Sequence, residues 1–348
     1  GLVQISEDAG LAWRKIASFP GVPDMTYVSD LQAGKHDAAV VYAAFDNHKM
    51  GDFKPYLLRS GDRGKTWTSI AGDLPTRGSV YSVAEDHVDP NLLFAGTEFG
   101  LYASTDGGKK WIRLKGGMPT IAVKDIAIQE RENDLVLASF GRGFYILDDY
   151  TPLRSLKPET LTQTATLFPV KTALAYHEAS AIGGRGKGSQ GETFYFAPNP
   201  PFGAAFTYYL KDGLKSKKTI RQEAEKKLAK DGKDTLYPAW EALRAEADEE
   251  EPAILITVRG QDGQVVRRLT GASASGIHRV AWDLRYPVAT PTSLTEPELD
   301  PWDALPTGPM AAPGGYQVEI AQRVDGKVTS LAGPQSFAVE SLGLATRK

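Results

Sequence analysis

Carboxylates and a histidine stand side by side at two places in the chain, in the segments Glu85 to His87 and Asp46 to His48. Their oxygen atoms could bind a hard cation. Neither segment has the D-x-D-x-D-G spacing of a calcium loop, and the five histidines show no H-E-x-x-H spacing. The chain has no cysteine, which excludes thiolate ligands and disulfides. We therefore predict no metal site and no cofactor.

A serine, an aspartate, a glycine and a tryptophan recur three times with the spacing S-x-D-x-G-x-x-W. In a tight turn, Ser and Asp side chains accept hydrogen bonds from backbone N–H groups. Glycine takes a positive φ there without strain, and the tryptophan folds back and buries its ring. We therefore predict structural roles and assign no catalytic residue. The twelve structural positions are Ser6, Asp8, Gly10 and Trp13, then Ser60, Asp62, Gly64 and Trp67, then Ser104, Asp106, Gly108 and Trp111.

Alternating apolar segments surround each copy of this motif, a pattern that predicts a strand, a turn and a second strand. The segments SVYSVAEDHVDPNLLFAGTEFGLYAST and VKDIAIQERENDLVLASFGRGFYILDD share one layout of strands and turns. Such a repeat predicts stacked β-units. We predict this arrangement for residues 1–155.

The motif resembles the Asp-box, or BNR, repeat of sialidases, sortilin-type receptors and photosystem assembly factors. In those families the box joins the two outer strands of a β-propeller blade. The resemblance implies an all-β fold in which residues 1–155 form three to four blades of an incomplete ring, the C-terminal part of a larger propeller. GRGFYILDDYTPLR is similar to the exit sequence of large exported bacterial BNR-repeat proteins of the glycosyl hydrolase type. That likeness implies a periplasmic or extracellular protein whose signal peptide is not in this chain.

The second half of the chain has a different pattern. Residues 156–192 are predicted to form a linker and the first strands, and they include the glycine-rich loop IGGRGKGSQGE. About seven short strands in residues 193–342 predict a β-sandwich. They are similar to the flagellar hook-cap-type immunoglobulin domain, which implies an Ig-like fold. Two charged stretches at about 215–250 predict a helical insertion.

Three residues of the predicted blades are candidates to face a ligand. A sialidase would need three arginines that clamp a carboxylate, and the Arg-Ile-Pro element of that family is absent from this chain. Arg77 and Arg142 lie in connecting loops, where they could reach the axial face. Glu98 lies at the strand-to-strand turn of GTEFG.

These observations favour a non-catalytic binding or scaffold module of an exported BNR-repeat protein. It would bind protein or peptide ligands through propeller loops, because loops on a rigid scaffold commonly carry recognition. One alternative is a sialidase-like glycoside hydrolase whose active site needs upstream blades. Another is a subunit that completes its propeller with blades from another chain.

Composition restricts the partners further. The 348 residues carry a formal net charge of -3 and show no basic stripe, so we predict no nucleic-acid binding. No apolar run approaches the ~18 residues that a membrane helix requires, so we predict no membrane span.

Overall fold

A computed structural model describes residues 1–177, 197–289, 291 and 306–342 of the chain. The glycine-rich segment 182–192 lies outside these residues. The chain divides into two compact units, Gly1–Lys157 and Pro158–Lys348. Regular structure in the described residues is mainly β, and the chain is an all-β protein with a partial β-propeller.

The first unit consists of four successive antiparallel blades, the middle two of which have four strands each. Blade 1 contains β1 (Val3–Ile5) and β2 (Arg14–Ile16). Blade 2 contains β3 (Tyr27–Ala33), β4 (Val41–Asp46), β5 (Tyr56–Ser60) and β6 (Thr68–Ser69). Blade 3 contains β7 (Val80–Glu85), β8 (Leu93–Thr97), β9 (Gly100–Ser104) and β10 (Ile112–Leu114). Blade 4 contains β11 (Val123–Gln129), β12 (Asp134–Ser139) and β13 (Phe144–Leu147).

The inner strands of neighbouring blades are joined by side-chain hydrogen bonds to backbone. The Val83 N–H donates to Asp30 Oδ2 at 2.9 Å, and Ser29 Oγ donates to the Val80 carbonyl at 2.8 Å. Between blades 2 and 3 lies a buried apolar core that includes Leu57, Leu93 and Trp111. Apolar burial between blades therefore stabilises the stack, and the polar contacts fix its register.

Antiparallel pairing sends alternate connections to opposite ends of the blades. The β4–β5, β6–β7, β8–β9 and β12–β13 connections lie at one end, which we call the loop face. The three S-x-D-x-G-x-x-W turns join β1 to β2, β5 to β6 and β9 to β10 at the opposite end.

The second unit has two sheets around one core. The first sheet has the order β14 (Ala165–Leu167), β16 (Ala204–Leu210), β19 (Gly276–Trp282). The second has the order β15 (Ala173–Ala175), β21 (Lys327–Ser341), β20 (Gly314–Val324), β17 (Ala253–Gly260), β18 (Val265–Gly271). Rings from both sheets meet in the core, where Phe206 lies 5.4 Å and Trp282 lies 6.3 Å from Phe337, measured between ring centroids.

The helical insertion in the second unit is present. A short helix, α1 (Pro158–Thr162), precedes the sheets, and α2 (Lys217–Lys230) and α3 (Trp240–Ala247) lie between β16 and β17. The Ser216 side chain caps α2 by accepting from the Thr219 N–H. Arg221 joins the two helices through two hydrogen bonds to Glu246, of 2.6 and 2.9 Å.

Candidate functional site: the loop face

The three S-x-D-x-G-x-x-W turns share one hydrogen-bond pattern. In the second turn, Ser60 Oγ donates to Asp62 Oδ1 at 2.8 Å and accepts from the Gly64 N–H at 2.7 Å. Asp62 also accepts from the Thr66 N–H and hydroxyl, and these two hydrogen bonds lower the pKa of Asp62 to about 2. The Asp62 oxygens are therefore occupied by the turn itself. The corresponding bonds of the other turns join Ser6 to Asp8 and Gly10, and Ser104 to Asp106 and Gly108.

The three tryptophans of these turns differ in burial. Trp67 and Trp111 are buried, as the pattern predicts, whereas Trp13 is 57% exposed. The prediction of a buried ring is wrong for Trp13. Its indole N–H still donates to the Gly10 carbonyl at 3.1 Å.

On the loop face, Arg77 stacks on the ring of Phe53. The Arg77 guanidinium lies 5.4 Å from the centre of the Phe53 ring, an arrangement that favours a cation–π interaction. The adjacent Gly78 N–H donates to the Phe53 carbonyl at 2.8 Å. These two contacts hold the β4–β5 connection of blade 2 against the β6–β7 connection, which leads from blade 2 to blade 3.

Glu98 lies beside this pair in the β8–β9 hairpin. Its backbone N–H donates to the Ser79 carbonyl at 3.0 Å, and Phe99 next to it is 41% exposed. Glu98 Oε2, Ser79 Oγ and Ser82 Oγ are buried, and none has a hydrogen-bond partner among the described residues. Buried polar atoms without partners are uncommon and mark a place where a polar ligand or solvent can bind.

Lys124 is the second residue of β11 and lies at the loop-face end of blade 4. Its ammonium lies 3.2 Å from the centre of the Tyr81 ring and 5.7 Å from that of Phe140. Burial lowers the pKa of Lys124, while the negative charges of Asp46 and Glu98 act in the opposite direction. Burial raises the pKa of Tyr81 to about 12, and the same two carboxylates contribute to the rise. Tyr81 is therefore a neutral phenol at ordinary pH.

Asp46, the second carboxylate that acts on Lys124, is held by a neighbouring histidine. The His48 N–H donates to Asp46 Oδ1 at 3.0 Å, and His48 Nδ1 lies 2.6 Å from Asp46 Oδ2. Both oxygens of this buried side chain are engaged locally. No group of three or more metal-binding side chains occurs among residues 1–177, 197–289, 291 and 306–342.

The structure brings the sequence candidates to one end of the blades. Arg77, Glu98 and the exposed Arg142 all lie in connections of the loop face, and their contact with a ligand stays a prediction. Sequence reasoning missed Tyr81 and Lys124. Both occupy the second position of an innermost strand, directly after a buried valine, and this shared position is the signal that could have identified them.

Comparison with known proteins gives partial likenesses. No family model matches the chain. A xyloglucanase of Hypocrea jecorina (strain QM6a) is 37% identical over 60 residues, which is 15% of this chain and 7% of that protein. No helix of the described residues is long and apolar enough to cross a membrane.

Three solved structures show low overall similarity. A GH74 enzyme of Niastella koreensis has 17% identity and a TM-score of 0.29, with 35% of this chain and 20% of that chain covered. YCF48 bound to D1 peptide has 15% identity and a TM-score of 0.33, with 43% and 44% covered. A GH74 xyloglucanase of Xanthomonas campestris has 14% identity and a TM-score of 0.33, with 95% and 58% covered. The chain thus spans less than two thirds of each, and these likenesses do not extend to activity or substrate.

Proposed function

We propose that the first unit is a non-catalytic binding module whose loop face binds a protein or peptide segment. The proposal rests on three phenylalanines, one in the same connection of each of blades 2, 3 and 4: Phe53, Phe99 and Phe140. The cation of Arg77 lies beside Phe53, and that of Lys124 lies beside Phe140. Aromatic and arginine side chains dominate protein-binding surfaces because they bury much area and lose little conformational entropy.

The charges of the face fit a peptide better than a reaction. Asp46 is engaged by His48 on both oxygens. Glycoside hydrolysis needs two carboxylates that act on the substrate, and the engagement of both Asp46 oxygens makes Asp46 a poorer candidate for such a pair. The unpartnered atoms of Glu98 and Ser79 could instead hydrogen-bond a peptide backbone.

A peptide display library selected against the full chain tests this proposal. Selected peptides should bind with micromolar affinity or better. Phe140→Ala and Lys124→Ala should each weaken binding by at least about tenfold, because both remove central contacts. Val88→Ala is the matched control, since Val88 is exposed at the opposite end of the blades. Equal effects of all three substitutions would contradict the proposal.

A glycoside hydrolase is the second candidate, because it would need a pair of carboxylates. The negative charges of Asp46 and Glu98 both raise the pKa values of Tyr81 and Lys124, so the two carboxylates lie around the same two side chains. The likeness of a 60-residue segment to a xyloglucanase makes xyloglucan the first substrate to assay, followed by fluorogenic sialosides. Turnover that Glu98→Gln abolishes would establish this candidate and overturn the binding module.

The finer family assignments are also proposals. We propose that the three turns are Asp-boxes, supported by their common hydrogen bonds, and that the second unit is Ig-like, supported by its two sheets around one core. We further propose that the protein is exported, as the sequence resemblance implies. Periplasmic or extracellular recovery of the protein from its native host would test this.

A further inference from the structure

A cavity of about 330 Å³ opens in the second unit, where β16 begins and β19 ends. The residues that line it include Tyr176, His177, Phe202, Asp283 and Arg285, all of which belong to the second unit. Sites for small ligands have volumes of ~300–1,000 Å³, apolar walls and a few convergent polar groups. The cavity therefore has the size and the kind of lining that suit one small molecule.

The backbone after β19 directs two charged side chains at this cavity. Leu284 has a φ of 53°, in the left-handed region that a bulky residue rarely adopts. The side chains of Leu284 and Trp282 are fully buried, whereas Asp283 and Arg285 line the cavity. Such backbone conformations persist only where the surrounding structure holds them, and they cluster at sites that bind ligands.

Hydrogen bonds on both sides hold Leu284 in this conformation. The Ala311 N–H donates to the Leu284 carbonyl at 2.7 Å, and the Trp282 indole N–H donates to the Arg285 carbonyl at 2.9 Å. Arg285 Nη1 in turn donates to the Gly308 carbonyl at 2.9 Å, which fixes the guanidinium. A ligand would therefore meet polar groups that are already in place, and this lowers the entropic cost of binding.

Asp283 and Arg285 carry opposite charges but form no ion pair with each other or with another described residue. Asp283 Oδ1 accepts from the Arg285 backbone N–H at 3.1 Å, and Oδ2 accepts from no described residue. A guanidinium has five N–H donors, so Arg285 keeps donors besides the one that binds Gly308. The cavity thus presents an acceptor and a donor on one short segment, and their charges cancel.

Two aromatic rings form an apolar wall of the cavity. The rings of Tyr176 and Phe202 meet edge to face, with 4.9 Å between their centroids and an angle of 88° between their planes. This contact orients the Tyr176 ring, and yet Tyr176 is 44% exposed. An exposed ring beside hydrogen-bonding groups fits a ligand that has an apolar face and a polar edge.

We propose that this cavity binds a neutral sugar residue. A hydroxyl group both donates and accepts hydrogen bonds. Adjacent hydroxyls of one sugar ring would donate to Asp283 and accept from Arg285, while the C–H face of the ring packs on Tyr176. A simple anion would be repelled by the Asp283 carboxylate and a simple cation by the Arg285 guanidinium. The site lies in the second unit alone and does not depend on ligand binding at the loop face.

Titration of the full chain with glucose, galactose, mannose and xylose, followed by saturation-transfer NMR, tests the proposal. At least one sugar should bind with a millimolar dissociation constant or better. Asp283→Asn should weaken binding by at least about fivefold, because it replaces an acceptor by a donor and keeps the oxygen that the Arg285 N–H uses. Asp262→Asn is the matched control, since Asp262 Oδ1 accepts the Gln264 N–H at 3.0 Å in the same local arrangement, outside this cavity.

A second pair of variants tests the aromatic wall. Tyr176→Ala should also weaken binding by at least about fivefold, whereas Tyr237→Ala, which removes a ring that is 86% exposed in the helical insertion, should have no effect. If none of the four sugars binds, or if Asp283→Asn and Tyr176→Ala bind as the wild type does, the proposal is overturned. Binding of sulfate or glycine that these two variants abolish, without binding of a sugar, would show an ionic ligand and overturn it as well.

Discussion

Asp86 directly follows β7, is fully buried and forms a polar network with Tyr150 and Arg154. Arg154 donates to both of its oxygens at 2.8 Å, and the Tyr150 hydroxyl donates to Oδ1 at 2.5 Å. The same Arg154 donates to Asn133 Oδ1 at 2.7 Å. The network joins the segment after blade 4 to blade 3.

We expect Asp86→Asn to destabilise the first unit by about 3–5 kcal/mol, because it leaves the Arg154 charge in a poorly solvated place without its counter-charge. Urea unfolding followed by tryptophan fluorescence measures this change. Glu7→Gln is the control, since Glu7 forms an exposed ion pair with Arg63 in which the two side chains are 42% and 58% exposed, and it should cost less than about 1 kcal/mol. Similar losses for both variants would show that the Asp86 network does not stabilise the unit.

Acid should weaken the same network. Burial alone would raise the pKa of Asp86, but the hydrogen bonds from Arg154 and Tyr150 outweigh it and hold the pKa at about 2. Because the folded-state pKa lies below the unfolded value of about 3.9, the stabilisation is complete above that value and is lost as pH falls toward 2. The difference in unfolding free energy between wild type and Asp86→Asn should shrink as the pH falls from 5 to 2. A constant difference would contradict the assignment.

At the scale of single residues, the sequence predicts hydrogen bonds within a turn well and contacts between distant residues poorly. The bonds of Ser60 and Asp62 span a few residues, so spacing alone predicts them. Asp86 and Arg154 are 68 residues apart, and Lys124 and Tyr81 meet through the stacking of two blades. Such pairs form only when blades pack on one another, and the spacing of residues within one blade gives no information about that packing.

The turn between β5 and β6 needs a glycine at position 64 for two reasons, its positive φ and the small space beside it. Gly64 has a φ of +71°, and a methyl group there would collide with Ile5. We expect Gly64→Ala to destabilise the first unit by about 2 kcal/mol or more, the sum of the positive-φ cost and the clash. Gly51→Ala isolates the backbone cost, because Gly51 has a φ of +75° with nothing within 4 Å. If urea unfolding gives the same loss of unfolding free energy for Gly64→Ala and Gly51→Ala, the clash with Ile5 of the neighbouring blade contributes nothing to the cost.

At the scale of elements, periodicity located both the strands and the insertion. The charged stretches of the second half form α2 and α3, as their pattern predicts, and β17 and β18 form an antiparallel pair. The parallel pairing of β15 with β21 could not be predicted in the same way. It joins residues more than 160 positions apart, and local turn chemistry carries no information about it.

At the scale of the whole molecule, each unit has cores built from its own residues. The cores of the first unit contain side chains such as Tyr42 and Trp67, and the core of the second contains Phe206, Trp282 and Tyr316. A unit with its own core can fold independently. The predicted boundaries at residues 155 and 192 stay predictions.

We therefore expect residues 158–348 to fold as an isolated fragment. Trp282 is fully buried, its indole N–H donates to the Arg285 carbonyl at 2.9 Å, and its ring lies 5.4 Å from that of Tyr316. Trp282→Phe should cost about 1–3 kcal/mol, because it leaves a cavity and an unpaired carbonyl. The loss should be the same in the fragment and in the full chain, since distant sites are additive. Near-ultraviolet circular dichroism with urea unfolding measures both. A fragment without fixed aromatic signals, or a loss that differs by more than about 1 kcal/mol between fragment and chain, would show that the second unit requires the first for its packing.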